Sequence, residues 1–191
     1  YDLRHGIDSI LTEVNNKMST YITDSEIMKF NYLNVGESIN ASDELIMILR
    51  KSYDITAITD HAFDISVGPL VELWGFGLSD KEPLVPDENI IKEYTQNLYV
   101  IPFEIINGNK LIKIRESRID LSAIAKGYAV DELSNYLISL DLFNHMVDIG
   151  GDLYCSGKNK SNNPWSIGIQ YPQQDVHSTV IDLILLSNKA V

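Results

Sequence analysis

Three segments of the chain combine carboxylates, aromatic rings, glycines and a lysine in arrangements that suit the binding of a small molecule. The first runs from Ala62, Phe63 and Asp64 through Gly68-Pro69 to the aromatic and glycine cluster Trp74–Gly77. An aromatic ring beside a carboxylate favours a pocket for a planar ring. The same residues also suit a turn that is packed by aromatic side chains, and the residues alone leave both interpretations open.

The second segment, Ile119–Asp131, has a carboxylate at the end of a short strand and a lysine close behind it. Asp120 is followed by small residues, which let a ligand approach the backbone, and a helix is predicted to begin there. The N-terminus of a helix presents free N–H groups and partial positive charge to phosphates. Lys126 in the first turn is unfavourable for the helix dipole. That conflict favours a binding role, although a solvated lysine is the alternative.

The third segment, Val147–Asp152, places Gly150-Gly151 between Asp148 and Asp152. A pair of glycines between two strands is typical of a turn or bulge. The two carboxylates also suit a contact with Mg²⁺ or a ribose. The common phosphate-binding motifs, G-x-G-x-x-G and G-x-x-x-x-G-K-[ST], are both absent from the sequence.

Composition narrows the class of protein. The 191 residues are 45% hydrophobic, which suits one globular domain with a core. A net charge of −12 repels phosphate backbones, so nucleic-acid binding is not expected. The single cysteine, Cys155, excludes an internal disulfide and favours a buried, inert thiol. No stretch approaches the ~20 apolar residues of a membrane span.

Periodicity predicts four longer helices and a short one. Ile7, Ile10, Leu11 and Val14 have helical spacing, and Ser42 suits the N-cap of a second helix. Further helices are predicted after Gly68-Pro69, near Asp87 and after Ser122. The loop between the third and fourth is predicted over residues 78–86.

Strands are predicted on both sides of the last helix. Asn107-Gly108 is a strong hairpin signal within Phe103–Ile114. Ala62–Val67 is predicted to be extended. Four further strands are predicted at Met146-Val147, Leu153-Tyr154, Trp165–Gln170 and Thr179–Leu185. Helices and hairpins without regular βαβ alternation indicate the α+β class, with a mixed, largely antiparallel sheet and flanking helices.

Taken together, the segments resemble the ApbE flavin transferases. Phe63–Leu70 with Leu73–Gly77 is similar to the family's F-D-x-[ST]-V-G-P-L…L-W-G-F-G motif. Asp120–Asp131 is similar to D-L-[SG]-x-[IV]-x-K-G-Y-A-x-D, and Val147–Asp152 to [NDS]-[IV]-G-G-D. Met18–Asn31 resembles the family's opening motif, which ends in Phe-Asn. Residues 165–172 resemble its W-x-[IV]-x-[IV]-x-x-P strand, so the order and spacing hold over nearly the whole chain.

The resemblance implies a set of site residues. Tyr21 would lie against a flavin-nucleotide ring, and Ala62, Phe63 and Asp64 would line the adenine end. Asp120 and Lys126 would hold FAD, and the backbone carbonyl of Ala123 would be a ligand of Mg²⁺. The family's motifs do not identify a catalytic base here, because all four histidines lie outside the matched functional positions; they are His5, His61, His145 and His177.

The resemblance also implies an activity. The expected reaction is Mg²⁺-dependent transfer of FMN from FAD to a threonine of a target protein, with release of AMP. FAD hydrolysis to FMN and AMP, or binding of FAD without turnover, are the alternatives. We expect residues 1–191 to be a single flavin-transferase domain truncated at both ends. It would lack the C-terminal metal-binding segment, and would be inactive and nearly unable to bind Mg²⁺ alone. The family implies a lipoprotein at the periplasmic face of the inner membrane.

Overall fold

Helices and antiparallel sheets make up the fold, as the sequence predicts for the α+β class. The structure is a computed structural model that describes residues 2–76, 85–96, 98–171 and 180–191. Two compact units can be recognised, and each is described by itself. One contains Leu11–Ala125, and the other contains the residues up to Ile10 together with those from Lys126 onward. The prediction of a single domain over residues 1–191 stays a prediction.

The described residues form six α-helices and one 3-10 helix, which covers Ile65–Val67. The α-helices are α1 (Leu3–Met18), α2 (Glu26–Asn31), α3 (Asp43–Ile58), α4 (Gly68–Leu73), α5 (Glu88–Thr95) and α6 (Ser122–Ser139). No helix in this part of the chain is both long enough and apolar enough to cross a bilayer.

Local hydrogen bonds explain where three of these helices begin. Ser25, Ser42 and Asp87 each lie at an N-cap in extended conformation and accept a hydrogen bond from a backbone N–H in the first turn. Such caps satisfy N–H groups that have no partner within the helix. The predicted starts near Ser42 and Asp87 are therefore confirmed.

The strands pair only with antiparallel neighbours within the described residues. β1 (Ser38–Asn40), β3 (Lys110–Lys113) and β2 (Phe103–Ile106) form one sheet in the order β1-β3-β2. β4 (His145–Ile149), β5 (Asp152–Ser156) and β8 (Lys189–Ala190) form a second sheet, in that order. β6 (Trp165–Gln170) pairs with β7 (Val180–Leu186). The hairpin at Asn107-Gly108 and the strands predicted after α6 are confirmed; Thr179 lies outside the described residues.

The unit formed by Leu11–Ala125 has an apolar core, which α1, α2, α3, the first sheet and the chain before α6 supply. Its largest fully buried side chains are Phe30, Met18, Ile27, Leu45, Leu49, Leu111, Ile119 and Leu121. Phe30 and Tyr53 both contact the ring of Phe103 edge-on, at centroid distances of 6.0 and 5.4 Å. Burial lowers the pKa of Lys113, whose ammonium donates to the carbonyl of Asn31 at 2.9 Å.

The other unit contains a smaller core around β5, β6 and β7. Leu153, Cys155 and Leu186 are buried there, with Trp165, Ile167 and Ile184 packed against them. Cys155 is fully buried, as predicted, and burial raises the pKa of its thiol. The hydroxyl of Ser134 and Nε2 of His145 form a buried hydrogen bond of 2.8 Å.

One predicted element is wrong. Ala62–Val67 was expected to be extended, but Ile65–Val67 forms a 3-10 helix with Asp64 as its N-cap. Oδ1 of Asp64 accepts hydrogen bonds from the backbone N and the hydroxyl of Ser66, at 2.7 and 2.6 Å. These local bonds outweigh the strand preference of the β-branched residues. Of the loop predicted over residues 78–86, positions 78–84 lie outside the described residues.

Candidate functional site

Asp64 is held on both oxygens of its carboxylate. Besides its two bonds to Ser66 through Oδ1, it accepts a hydrogen bond from the backbone N of Tyr99 through Oδ2 at 2.7 Å. Tyr99 has a φ of +67° and stacks edge-on against His61 at 5.2 Å. The carboxylate therefore has a structural role in a turn with aromatic neighbours, which was one of the two interpretations of this segment. A contact between Asp64 and FAD stays a prediction.

The first and second segments lie against each other in the unit formed by Leu11–Ala125. The backbone N of Asp120 donates to the carbonyl of Ile65 at 2.8 Å, and the side chains of Arg118 and Glu72 form an ion pair. Gly68 approaches Arg118, the residue before the second segment, so closely that a Cβ atom at position 68 would be 2.6 Å from its carbonyl oxygen. The fold thus brings together two segments that lie far apart in sequence and that both carry predicted ligand contacts.

Asp120 lies half-buried between two fully buried neighbours, Ile119 and Leu121. Its Oδ1 accepts a hydrogen bond from the backbone N of Ser122 at 2.7 Å, at the start of α6. Oδ2 has no hydrogen-bond partner among the residues that the structure describes. If Asp120 contacts FAD as predicted, Oδ2 is the oxygen available for that contact.

The remaining predicted ligand contacts near these segments differ in exposure. Tyr21 is 63% exposed, so its ring face is accessible for stacking. Ala62 is exposed and Phe63 is half-buried. The residue before Tyr21, Thr20, lines the same small cavity as Gly68 and Asp120, of about 30 Å³. Pockets for small molecules have volumes of about 300–1,000 Å³, so this cavity does not itself hold a flavin nucleotide.

A wider groove of about 630 Å³ lies in the same unit, along Tyr32, Tyr94, Glu116 and Arg118. None of the residues predicted to contact FAD lines it. Its charged side chains are of both signs. The groove is therefore separate from the residues that are predicted to bind FAD.

Lys126 lies in the other unit. It is the fifth residue of α6 and therefore comes just after the first turn, in which it was predicted to lie. Its ammonium is 3.2 Å from a carboxylate oxygen of Asp152, and both side chains are about half exposed. This ion pair offsets the unfavourable position of a lysine near the N-terminus of a helix. Because both groups are exposed, the pair contributes little to stability, so Lys126 is available to an anionic ligand at small cost.

The third segment forms the turn between β4 and β5. Gly150 and Gly151 have φ values of +60° and +94°, which favour glycine, and the N–H of Gly151 donates to Asp148 at 2.9 Å. The prediction of a turn is confirmed. Lys126 lies beside this turn, since its Cδ would be 4.0 Å from a Cβ at position 150. Within this unit, Lys126 and Asp152 therefore lie side by side.

Ala123, the predicted source of a Mg²⁺ ligand, is the second residue of α6. Residues 2–76, 85–96, 98–171 and 180–191 include no group of three His, Cys, Asp or Glu side chains that is arranged to hold a metal ion. Mg²⁺ requires about six oxygen ligands in near-octahedral arrangement. One backbone carbonyl does not meet that requirement by itself.

The histidines that the structure describes form no hydrogen bond or ion pair with a predicted site residue. His145 is buried and bonded to Ser134, and its Nδ1 lies 2.7 Å from the carbonyl of Leu142. His61 stacks against Tyr99, and His5 is an exposed residue of α1. His177 lies outside the described residues. The catalytic base therefore stays unassigned.

Asp64→Ala is expected to have two separate effects. Loss of three hydrogen bonds should lower the free energy of unfolding by about 1–3 kcal/mol. If Asp64 also contacts FAD, the affinity for FAD should fall by a similar free energy. Urea unfolding and fluorescence titration with FAD measure the two effects.

A matched control for this prediction is Asp87→Ala, which removes the N-cap of α5 but no predicted ligand contact. It should lower stability without changing the affinity for FAD. Wild-type affinity in Asp64→Ala would remove Asp64 from the site and leave it as a cap alone.

The chain matches known proteins over most of its length. Residues 2–191 match the sequence model of the ApbE family. The chain is 38% identical over 177 residues to the FAD:protein FMN transferase of Vibrio cholerae, covering 92% of this chain and 53% of that protein. It is 33% identical to the enzyme of the same name from Haemophilus influenzae, covering 95% of this chain and 54% of the relative. The chain thus spans about half the length of the curated relatives it matches.

Solved structures give the same result. The flavin transferase ApbE from Vibrio cholerae superposes with a TM-score of 0.86 at 36% identity, over 98% of this chain and 60% of that chain. The ApbE protein from Thermotoga maritima superposes with a TM-score of 0.87 at 29% identity, over 98% and 60%. The matching fold, the order of the motifs and the extent of the match lead to one conclusion: the chain belongs to the ApbE family.

Proposed function

We propose that the full-length gene product transfers FMN from FAD to a threonine of an acceptor protein. The observation that carries this proposal is the juxtaposition of the Ala62–Phe76 segment and Asp120 at the start of α6. It occurs in a chain 38% identical to a FAD:protein FMN transferase. In this reaction the threonine hydroxyl attacks the FMN-side phosphorus of FAD. The bond to the bridging oxygen breaks, AMP leaves, and the hydroxyl proton passes to a base.

The chain's residues would act mainly by placing FAD. Oδ2 of Asp120 would accept a hydrogen bond from the ligand, and the exposed ring of Tyr21 would stack on a nucleotide ring. Lys126 would exchange its ion pair with Asp152 for a contact with a phosphate oxygen. The first turn of α6 adds the partial positive charge of a helix N-terminus. Lys126 and the helix N-terminus would offset, at the pyrophosphate, part of the repulsion expected from a net charge of −12.

Mg²⁺ is part of the proposal because the family resemblance implies it. The ion would supply charge neutralisation at the pyrophosphate oxygens. The Ala123 carbonyl would be one ligand, and most of the ligand set would come from residues other than those described.

Incubating the full-length gene product with FAD, Mg²⁺ and a threonine-containing acceptor protein tests the proposal. We expect a fluorescent flavin band on the acceptor after denaturing electrophoresis, absent when the acceptor threonine is replaced by alanine. A chelator of divalent cations should abolish the band. Free FMN without labelled acceptor would indicate a hydrolase instead, and unchanged FAD would indicate a carrier.

We also propose that the protein works in the bacterial cell envelope, as a lipoprotein at the periplasmic face of the inner membrane. Only the family resemblance supports this location. Cell fractionation with detection of the native gene product tests it, and recovery in the cytoplasmic fraction would contradict it.

A further inference from the structure

Asn31, the last residue of α2, makes a long-range contact with the segment that carries Asp120. Its side-chain amide is buried, with 6% of the residue exposed. Nδ2 donates to the carbonyl of Ile119 at 2.9 Å, and the N–H of Ile119 donates to Oδ1 at 2.8 Å. The two residues are 88 positions apart in the sequence. A single side chain therefore satisfies both backbone groups of the residue directly before Asp120.

This pairing resembles the exchange of two hydrogen bonds between opposite residues of antiparallel strands. It fixes the orientation of both peptide groups of Ile119. One of them is the peptide group that joins Ile119 to Asp120. The N–H of Asp120 is fixed in turn by the carbonyl of Ile65. Asp120 is thus held from α2 on one side and from the 3-10 helix on the other.

Burial of the neighbouring side chains completes the constraint. Ile119 and Leu121 are both fully buried, so the side chain of Asp120 between them is directed away from the core. Asn31 is itself anchored, because its backbone carbonyl accepts a hydrogen bond from the buried ammonium of Lys113. A shift of Asn31 would therefore be transmitted to the direction of the Asp120 carboxylate.

We infer that Asn31 is a positioning residue for FAD binding, which acts by fixing the backbone at Ile119 and so the direction of Asp120. This inference rests on the proposed function, in which Asp120 contacts FAD. Asn31 would not touch the ligand in this role. The alternative is that Asn31 only stabilises the fold, and the two accounts differ in how the effects of substitutions combine.

A double-mutant cycle on the full-length gene product separates these accounts. The variants are Asn31→Asp, Asp120→Ala and the combination, with the affinity for FAD measured by fluorescence titration and the stability by thermal unfolding. Asn31→Asp keeps an acceptor for the N–H of Ile119 but replaces the donor with an oxygen that faces the Ile119 carbonyl. We expect it to weaken FAD binding about tenfold, the typical effect of one buried hydrogen bond.

Ser134→Ala is the matched control, because it removes a buried hydrogen bond, to His145, from the other unit. It should lower the unfolding temperature without changing the affinity for FAD. If the Asn31→Asp variant does not fold, the same cycle is measured with Asn31→Ser, in which the new side chain is smaller and uncharged.

The inference predicts that Asn31→Asp lowers the affinity for FAD very little further in a protein that already carries Asp120→Ala, because both substitutions remove the same contact with FAD. The inference would be overturned if the two substitutions lowered the free energy of FAD binding by fully additive amounts. It would also be overturned if both Asn31 variants bound FAD with wild-type affinity. Wild-type affinity in Asp120→Ala alone would instead overturn the role of Asp120 in the proposed function. The two failures are therefore distinguishable.

Discussion

Asp120→Ala is expected to weaken FAD binding by about 1–3 kcal/mol, a factor of roughly 5 to 150, the typical cost of losing a hydrogen-bonded charged partner. In the structure the carboxylate uses Oδ1 for the N–H of Ser122, and the proposed function assigns Oδ2 to FAD. The substitution removes both interactions. Titration of the full-length gene product with FAD, followed by flavin fluorescence, measures the change.

The direction of the change in FAD affinity distinguishes a specific contact from a general effect of charge. The chain carries a net charge of −12, so removing any carboxylate should by itself favour an anionic ligand. Asp148→Ala makes the same change in charge and also removes a local hydrogen bond, to the N–H of Gly151. We therefore expect slightly tighter or unchanged binding in Asp148→Ala and weaker binding in Asp120→Ala. Equal affinities in the two variants would show that Asp120 makes no specific contact with FAD.

Phe30→Ala is expected to have the largest effect on stability, about 3–5 kcal/mol. Phe30 is fully buried and packs edge-on against Phe103, and the ammonium of Lys113 lies 6.0 Å from its ring centroid. Truncation would leave a cavity in the core of the unit that carries Asn31 and Asp120. Because a domain is stable by only about 5–15 kcal/mol, this loss should lower the urea midpoint substantially.

Phe143→Ala provides the control for this prediction, because Phe143 is 56% exposed. A surface substitution of this kind should change stability by no more than about 0.5 kcal/mol. A loss of less than about 1 kcal/mol in Phe30→Ala would mean that the ring is not part of a close-packed core.

The sequence was sufficient for those elements that local chemistry determines. The N-caps at Ser42 and Asp87 and the turn at Asn107-Gly108 each depend on residues within a few positions of one another. Helix α2 and strand β1 were not predicted, because six and three residues are too few for a periodic pattern. At Ile65–Val67 the strand prediction was wrong because the capping bonds of Asp64 stabilise a 3-10 turn more than the β-branched residues favour an extended backbone.

In the candidate site, too, the features set by neighbouring residues were predictable and the long-range contacts were not. Asp120 and Lys126 are predicted from the sequence because the segment around the start of a helix resembles the family motif that holds FAD. The contact of Asn31 with Ile119, 88 positions away, has no signal in a single sequence, since any buried asparagine satisfies its amide somewhere. The ion pair of Lys126 with Asp152 likewise depends on the turn at Gly150-Gly151.

The most direct test of the proposed FMN transfer is to count its two products in one reaction. The full-length gene product is incubated with FAD, Mg²⁺ and the acceptor protein, and AMP is quantified by chromatography while FMN on the acceptor is quantified by mass spectrometry. We predict one covalently bound FMN, on threonine, for each AMP released, with no free FMN above a reaction without enzyme. AMP released together with an equal amount of free FMN, and an unmodified acceptor, would contradict the transfer.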